Sequence, residues 1–296
     1  MIRAEGLIKD YDGFRALDGV SFETDEPGIF GIIGHNGAGK TTLLKIMAGL
    51  MQPTAGTLVI NGIDVVRDPV SLRRTLGYLP EESRLYDTMT VDSYLSFFGE
   101  LYHLDRATIA DRGERLLSSL QLDHGGKKIG ELSKGMRRKV AIARSLIHDP
   151  SLLIYDEPTS GLDPMTSRYI IEYLARLRDE EERTILLSAH NLLQVEEICD
   201  RILILRKGRE IAFGTMDELR SKFGTFSYHI RFTVPDASVL PEALAVSRDA
   251  GEYVTEAADM SALNAATALI AGAGGTVKRI ESRYPSLEEM LLKIGK

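Results

Sequence analysis

Compact apolar runs, bounded by glycine, proline or charged residues, recur along the first 220 residues and predict buried strands. They occupy residues 28–34, 151–156 and 183–188. Apolar residues at helical spacing follow the first run, and most of the segment 86–147 has the same spacing. Because buried strands that alternate with helices pair in parallel, the pattern predicts an α/β core with an inserted helical subdomain at about 86–147.

Two apolar stripes indicate helices within this inserted segment. The first stripe consists of Tyr94, Leu95, Phe97, Phe98 and Leu101, and the second of Leu116, Leu117 and Leu120. A spacing of three or four residues places the members of each stripe on one side of a helix. We therefore expect each stripe to form a single apolar face.

The pattern changes near residue 220, after a predicted hairpin at 201–213. Beyond it come an alternating strand, an alanine-rich helix, a second strand and a capped helix, at 226–234, 259–271, 276–280 and 286–294. This order predicts two domains, 1–220 and 221–296, of which the second is a small α/β domain.

The amino-acid composition and net charge limit the classes of protein to which the chain can belong. The 296 residues are 44% hydrophobic and 27% charged, which is typical of a globular chain with a large core. Its 36 basic and 43 acidic residues give a net charge of −7, so a nucleic-acid partner is not expected. A lone cysteine, Cys199, together with no signal peptide or apolar span, favours residence in the cytoplasm.

Residues Gly34–Thr41 match the phosphate-binding pattern GxxxxGK[ST], between a predicted strand and a predicted helix. Glycines allow successive N–H groups to face phosphate oxygens, and the helix adds the positive end of its dipole. Lys40 would reach the terminal phosphates, and Thr41 could ligate Mg²⁺. About 0.02 chance matches are expected in a chain of this length and composition, so the motif indicates a nucleotide site.

Two adjacent carboxylates follow the second apolar run. Asp156 ends the run and Glu157 comes next, at the edge where parallel sheets bind ligands. Asp156 could hold Mg²⁺ through water, and Glu157 could polarise an attacking water. Taken alone, the pair could also be a solvated acidic loop.

Ser133 is a predicted N-cap of the helix that follows it. Arg137, Arg138 and Lys139 then oppose the helix dipole, a conflict that an anion bound there would relieve. A solvated basic face is the alternative for these three residues.

The order of these motifs resembles the ATP-binding cassette (ABC) ATPases, specifically the ATP-binding subunits of multidrug, antibiotic and sodium exporters. The resemblance covers residues 2–220. The motifs on which it rests are Gly34–Thr42, Leu132–Met136, Leu152–Glu157, Ser160–Asp163 and His190. The resemblance implies a P-loop NTPase (RecA-like) parallel-sheet core with an N-terminal antiparallel β-subdomain. It also implies ATP hydrolysis with Mg²⁺.

Site residues are implied by the same resemblance. Those expected to bind ATP are Tyr11, Gly34, His35, Asn36, Gly37, Ala38, Gly39, Lys40, Thr41, Thr42, Ser133 and Gly135. The expected Mg²⁺ ligands are Thr41, Glu81 and Asp156. Glu157 is implied as catalytic base and His190 as the contact to the γ-phosphate, whereas Asp163 is implied as a contact across a dimer.

Two departures from the family pattern stand out. The LSGGQ motif is LSKGM here, with Lys134 and Met136 in place of glycine and glutamine. Glu81 stands where many cassettes carry glutamine, and it adds negative charge near the phosphates.

The resemblance further implies a head-to-tail pair with a second copy or another cassette, and a separate integral membrane permease. The segment Leu85–Val91 resembles the groove that receives the permease, with a buried turn as the alternative. We therefore expect an export ATPase, peripheral on the inner face of the cell membrane, with residues 221–296 in regulation or dimerisation. The alternatives are a soluble ABC ATPase acting on ribosome or DNA, and a regulator that does not hydrolyse nucleotide.

Overall fold

The computed structural model describes residues 1–223, 226–236, 238, 240–241, 244–249 and 251–295. They form two compact units, Met1–Met216 and Asp217–Lys296. Among these described residues, no helix is both long enough and apolar enough to span a bilayer.

The first unit contains ten strands and seven helices. Its strands are β1 (Ile2–Tyr11), β2 (Phe14–Thr24), β3 (Ile29–Ile33), β4 (Ala55–Ile60), β5 (Ile63–Asp64), β6 (Leu76–Leu79), β7 (Leu152–Asp156), β8 (Thr184–Ser188), β9 (Arg201–Arg206) and β10 (Arg209–Gly214). Its helices are α1 (Lys40–Met47), α2 (Pro69–Arg74), α3 (Val91–Leu101), α4 (Arg106–Ser119), α5 (Lys134–Leu146), α6 (Pro164–Glu181) and α7 (Leu192–Ile198).

The central sheet has the order β10-β9-β3-β8-β7-β6. Strands β9, β3, β8, β7 and β6 pair in parallel, whereas β10 closes the edge as an antiparallel hairpin with β9. Strands β3 and β7 are buried at every position, because helices cover both faces of a parallel sheet. The predicted parallel core, its three apolar strands and the closing hairpin are confirmed.

A second, antiparallel sheet has the order β2-β1-β4-β5. Its alternate side chains, including Leu7, Leu17 and Leu58, join one hydrophobic core with α1 and the central sheet. Alternation places one face of such a sheet in the core and leaves the other face polar. This packing holds α1, and the loop that precedes it, against both sheets.

The helical insertion consists of α3, α4, a 3-10 turn at Ile129–Glu131 and α5. Tyr94 and Leu95 of the first predicted stripe are buried, but Phe97 is 39% and Leu101 58% exposed. The first stripe is therefore buried at Tyr94 and Leu95 and exposed at these two residues. Helix α3 packs on α4 and α5, and of its other apolar residues Phe98 is half-buried.

In the second unit, the described residues form a sheet of order β12-β13-β11-β14 and three helices. Its elements are α8 (Met216–Phe223), which begins at the last residue of the first unit, β11 (Ser227–Thr233), β12 (Val246–Asp249), β13 (Glu252–Ala257), α9 (Met260–Gly272), β14 (Thr276–Arg283) and α10 (Leu287–Gly295). Ile230 and Phe232 pack with Leu263 and Ile270 in its core. The predicted capping box is present, since Glu289 N–H donates to Ser286 Oγ and Ser286 N–H to the Glu289 carboxylate.

Candidate active site

Four neighbouring parallel strands end at one edge of the central sheet, and a candidate residue follows each. The glycine loop follows β3, His190 follows β8, Glu157 follows β7 and Glu81 follows β6. Carboxyl ends of adjacent parallel strands meet at the same edge, which is where open α/β sheets bind ligands. The fold thus brings together residues from four distant parts of the sequence.

The loop Gly34–Gly39 has a backbone that only glycine adopts without strain at several positions. Gly37 and Gly39 have φ values of 78° and 105°, in the left-handed region. A Cβ on Gly39 would lie 2.7 Å from the Ala16 carbonyl oxygen, so space also excludes a side chain there. The motif therefore encodes a fixed backbone cradle rather than a flexible linker.

Helix α1 opens towards this loop without a side-chain cap. Its N-cap residue is Gly39, and no side chain of the fully described range 1–223 accepts from its first N–H groups as a cap. Those groups and the helix dipole favour an anion at this position. Lys40 is buried, and its Nζ donates to the Gly34 carbonyl at 2.8 Å. Burial lowers the pKa of Lys40 below its usual value, although the nearby carboxylates of Glu157, Asp156 and Glu81 oppose this shift.

Asp156 and Glu157 are both buried, which rules out the solvated acidic loop. The Ser188 hydroxyl donates to Asp156 Oδ1 and accepts the Glu157 N–H at 3.0 Å. Ser188 pairs with Asp156 across β7 and β8. The sequence analysis missed Ser188, although a serine at the end of a buried strand is the same signal that identified Asp156.

The backbone of Glu157 lies in the left-handed region, with φ of 48°. For a residue with a Cβ this conformation costs roughly 1–2 kcal/mol. Such strain persists only where the surroundings hold the backbone, and it occurs preferentially at functional sites. Sequence alone gives no sign of this conformation.

His190 contacts Glu157 directly, with 2.6 Å between Nε2 of the histidine and Oε1 of the carboxylate. Burial raises the pKa of Glu157 above its usual value; the charges of Glu81 and Asp156 act in the same direction, and His190 opposes them. A carboxylate with a raised pKa is a better proton acceptor than an ordinary one. These two residues share a cavity of about 390 Å³ with Ser160 and Gly161.

Tyr11 ends β1 of the antiparallel sheet, half-exposed, and its hydroxyl donates to Met51 Sδ at 2.9 Å. Its ring is exposed, with Lys9 Nζ 5.3 Å from the ring centroid. Glu81 is exposed at the start of the loop after β6, and it lines one cavity with Lys134, Arg137 and Arg138. The two departures from the family pattern, Glu81 and Lys134, therefore face the same space with opposite charges.

Ser133 and Gly135 lie away from the glycine loop. Ser133 is the N-cap of α5, as predicted, and accepts from Met136 N–H at 3.2 Å. Together with Gly135 it lines a separate cavity of about 300 Å³ that Asp163 also borders. Asp163 caps α6 through Thr166 N–H, so its carboxylate has a structural partner within the chain.

Each of the three basic residues of α5 has a partner within the chain. Arg137 pairs with Asp87 at 2.6 Å, and Lys139 lies over the Tyr169 ring. Arg138 is 7% exposed and is hydrogen-bonded to backbone carbonyls. Both predictions are wrong for Arg138, because it lies on the buried face of α5, three and four residues before buried Ala141 and Ile142.

Each of the two units matches a different known protein family. Residues 17–160 match the ABC transporter family, and residues 214–294 match the C-terminal domain of DrrA1-3-like ATP-binding proteins. The chain is 40% identical over 207 residues to the ABC transporter ATP-binding protein NatA of Bacillus subtilis, covering 69% of this chain and 84% of NatA. It is 33% identical to the daunorubicin resistance ATP-binding protein DrrA3 of Streptomyces coeruleorubidus, covering 99% of this chain and 95% of DrrA3.

A solved structure with the same fold is a dimeric ATP-binding cassette, MJ0796, in a post-hydrolysis state bound to ADP and Pi. The TM-score is 0.67 at 25% identity, and the match covers 73% of this chain and 99% of that one. The predicted fold class, with its parallel core, antiparallel sheet and helical insertion, is thereby confirmed.

Proposed function

Because this chain belongs to the ABC transporter ATP-binding proteins, we propose that it powers export through a separate membrane permease. The chain is an ABC-type ATPase, and the family binds nucleotide. The observation that carries the proposal is the meeting of the glycine loop, Asp156, Glu157 and His190 at one sheet edge. The relatives, which include a daunorubicin resistance protein, support export and give no support to a ribosome or DNA factor.

The glycine loop and the uncapped start of α1 hold the phosphates of ATP, with Lys40 as their charged partner. Tyr11 stacks on the base. Mg²⁺ in such sites is held by one or two carboxylates together with substrate phosphates. Thr41, Glu81 and Asp156 offer it hard oxygen ligands, and when bound it neutralises charge on the β- and γ-phosphates.

Glu157 acts as the base that orients and polarises the attacking water. Its buried position and raised pKa suit it to accept a proton. The Ser188 hydroxyl holds its backbone by accepting the Glu157 N–H. His190 holds one oxygen of this carboxylate, and its exposed ring is free to turn towards the γ-phosphate. This division assigns proton transfer to Glu157 and phosphate contact to His190.

A second copy, or another cassette, completes the site. Ser133 and Gly135 of one chain lie in a cavity apart from its own glycine loop, so they are placed to contact nucleotide held by a partner. The dimeric state of the MJ0796 cassette supports this arrangement. ATP then joins two chains head to tail, and hydrolysis separates them.

An apolar patch, made of Tyr86, Phe97, Phe98 and Leu101, is the proposed contact with the permease. The ring centroids of Tyr86 and Phe97 lie 6.0 Å apart, and both side chains are exposed. Exposed clusters of apolar side chains mark surfaces that bind other proteins. This contact would place the chain on the cytoplasmic face of the membrane.

Replacing both Tyr86 and Phe97 with alanine tests that contact. We expect basal ATP turnover within about twofold of the parent protein, because neither ring reaches the sheet edge. Turnover stimulated by the permease should fall at least about tenfold, since truncated aromatic anchors commonly cost 2 kcal/mol or more at interfaces. The measurement compares ATP turnover with and without the permease, reconstituted in liposomes.

The matched control is Val70→Ala, an exposed apolar residue on α2 outside the patch. It should leave stimulated turnover unchanged. Normal stimulation in the double variant would show that the permease binds elsewhere.

We propose that residues 1–220 form the ATPase domain and that residues 221–296 form a regulatory or dimer-stabilising domain. The match of residues 214–294 to a DrrA1-3-like C-terminal domain supports a separate role. None of the proposed nucleotide ligands lies in this second region.

Truncation after Met216 should leave ATP affinity within about threefold, because all proposed ligands remain. Dimer formation with ATP, or transport, should weaken. Light scattering and nucleotide titration on the same preparation measure both, after thermal melting has shown a cooperative fold. If the folded truncation dimerises and transports normally, the second domain has no role in regulation or dimer stabilisation.

A further inference from the structure

Arg138 is the most heavily bonded side chain at the sheet edge, although no motif includes it. Its guanidinium nitrogens Nε, Nη1 and Nη2 all donate to oxygen atoms of the first unit. The acceptors are the carbonyls of Pro80, Glu81, Asp156, Glu157 and Pro158, with the Ser83 hydroxyl at a longer distance of 3.4 Å.

These acceptors belong to two loops that follow different strands. Nη1 donates to Pro80 O at 2.8 Å and Glu81 O at 3.0 Å, in the loop after β6. Nη2 and Nε donate to Glu157 O and Pro158 O, both at 2.7 Å, in the loop after β7. One side chain from α5 therefore joins the loop of Glu81 to the loop of Glu157.

Only arginine supplies this set of bonds. Its planar guanidinium carries five N–H donors in a fixed fork, whereas lysine has three donors around one nitrogen. A lysine at this position keeps the charge but cannot span both loops. The presence of arginine at position 138 therefore indicates that this side chain holds both loops.

The bond to Glu157 has a specific consequence. Glu157 has a left-handed backbone, and side chains hold the peptide groups on either side of its Cα. Ser188 Oγ accepts its N–H at 3.0 Å, and Arg138 binds its carbonyl oxygen. A strained conformation of this kind needs such restraints to persist.

We propose that Arg138 is a positioning residue for ATP hydrolysis, which holds the backbone of Glu157 and links it to the Glu81 loop. Because Arg138 and Ser133 are on the same helix, the link also reaches the end of α5 that is proposed to contact the partner's nucleotide. This inference rests on the proposed function, since it takes Glu157 to be the base.

Arg138→Lys tests the positioning role. We expect kcat to fall about 10- to 100-fold, because displacement of a catalytic group by about 1 Å costs up to 10²-fold. The KM for ATP should stay within about threefold, since Lys40 and the glycine loop are unaffected. The matched control is Arg137→Lys, a neighbour on α5 whose partner is the exposed Asp87, and its kcat should remain at the parental value.

A double-variant cycle separates positioning from a general structural effect. If Arg138 acts through Glu157, adding Arg138→Lys to Glu157→Gln should slow single-turnover hydrolysis by less than about threefold further. Independent losses that multiply, or parental turnover in Arg138→Lys, would overturn the proposal. Hydrolysis that is unimpaired in Glu157→Gln alone would instead overturn the base assignment.

Thermal melting accompanies each assay. If Arg138→Lys does not melt cooperatively, Arg138→Gln takes its place, since it buries no charge. Loss of folding in both variants would make Arg138 a general structural residue and would also overturn the proposal.

Discussion

Replacing Glu157 with glutamine is expected to reduce steady-state ATP turnover by at least about 100-fold, since general base catalysis contributes 10²- to 10⁴-fold. The amide keeps the shape of the side chain, and its backbone bonds to Ser188 and Arg138 are unchanged. The substitution removes the negative charge, and with it the ability to accept a proton and the charge that faces His190. ATP affinity should persist, because the phosphate ligands come from another strand. Phosphate release and nucleotide titration measure the two effects.

The variant should also accumulate as an ATP-bound dimer, which light scattering detects. Glu197→Gln, at an exposed position on α7, is the matched control and should hydrolyse ATP at the parental rate. Parental turnover in Glu157→Gln would remove Glu157 from the chemistry. A strictly monomeric ATP-bound form would count against the head-to-tail dimer in the absence of the permease.

Lys40→Ala is expected to weaken ATP binding by about 10- to 100-fold, because hydrogen bonds to charged groups contribute about 1.5–3 kcal/mol. Lys40 is buried beside the loop and carries the one positive side chain of the GxxxxGK[ST] motif. Its removal leaves the backbone cradle in place, so residual binding should be detectable. Titration with a fluorescent ATP analogue gives the affinity.

Lys45→Ala, in the last turn of the same helix, is the matched control and should bind ATP like the parent protein. Thermal melting of both variants excludes an effect of unfolding. Equal affinities in Lys40→Ala and the parent would refute the assignment of Gly34–Thr42 to phosphate.

The departures from the family pattern gain a physical meaning from the structure. Burial is the main cause of the raised pKa of Glu157, and the negative charge of Glu81 acts in the same direction, which favours Glu157 as a proton acceptor. Lys134 lines the same cavity as Glu81, so the two departures bring opposite charges to one space. The sequence predicts neither the effect of Glu81 on Glu157 nor its proximity to Lys134, because these residues are far apart in the chain. Glu81 and Lys134, for example, are separated by 53 positions.

By itself, the sequence determined the parts of the protein that are encoded locally. The glycine loop could be predicted because each glycine is required by its own backbone angle or close contact, as at Gly39. The buried strands and the Ser133 cap could be predicted because periodicity and capping act within a few residues. The family resemblance then assigned roles to Glu157 and His190.

Tertiary structure alone decided which of these residues meet, and how. The 2.6 Å contact of His190 with Glu157 depends on the parallel pairing of β7 and β8. The burial of Arg138, and the exposure of Phe97 and Leu101, depend on which side of each helix has a neighbour. Residue type and spacing define what a helix face offers, whereas packing between distant segments decides whether that face meets carbonyl groups, a core or solvent.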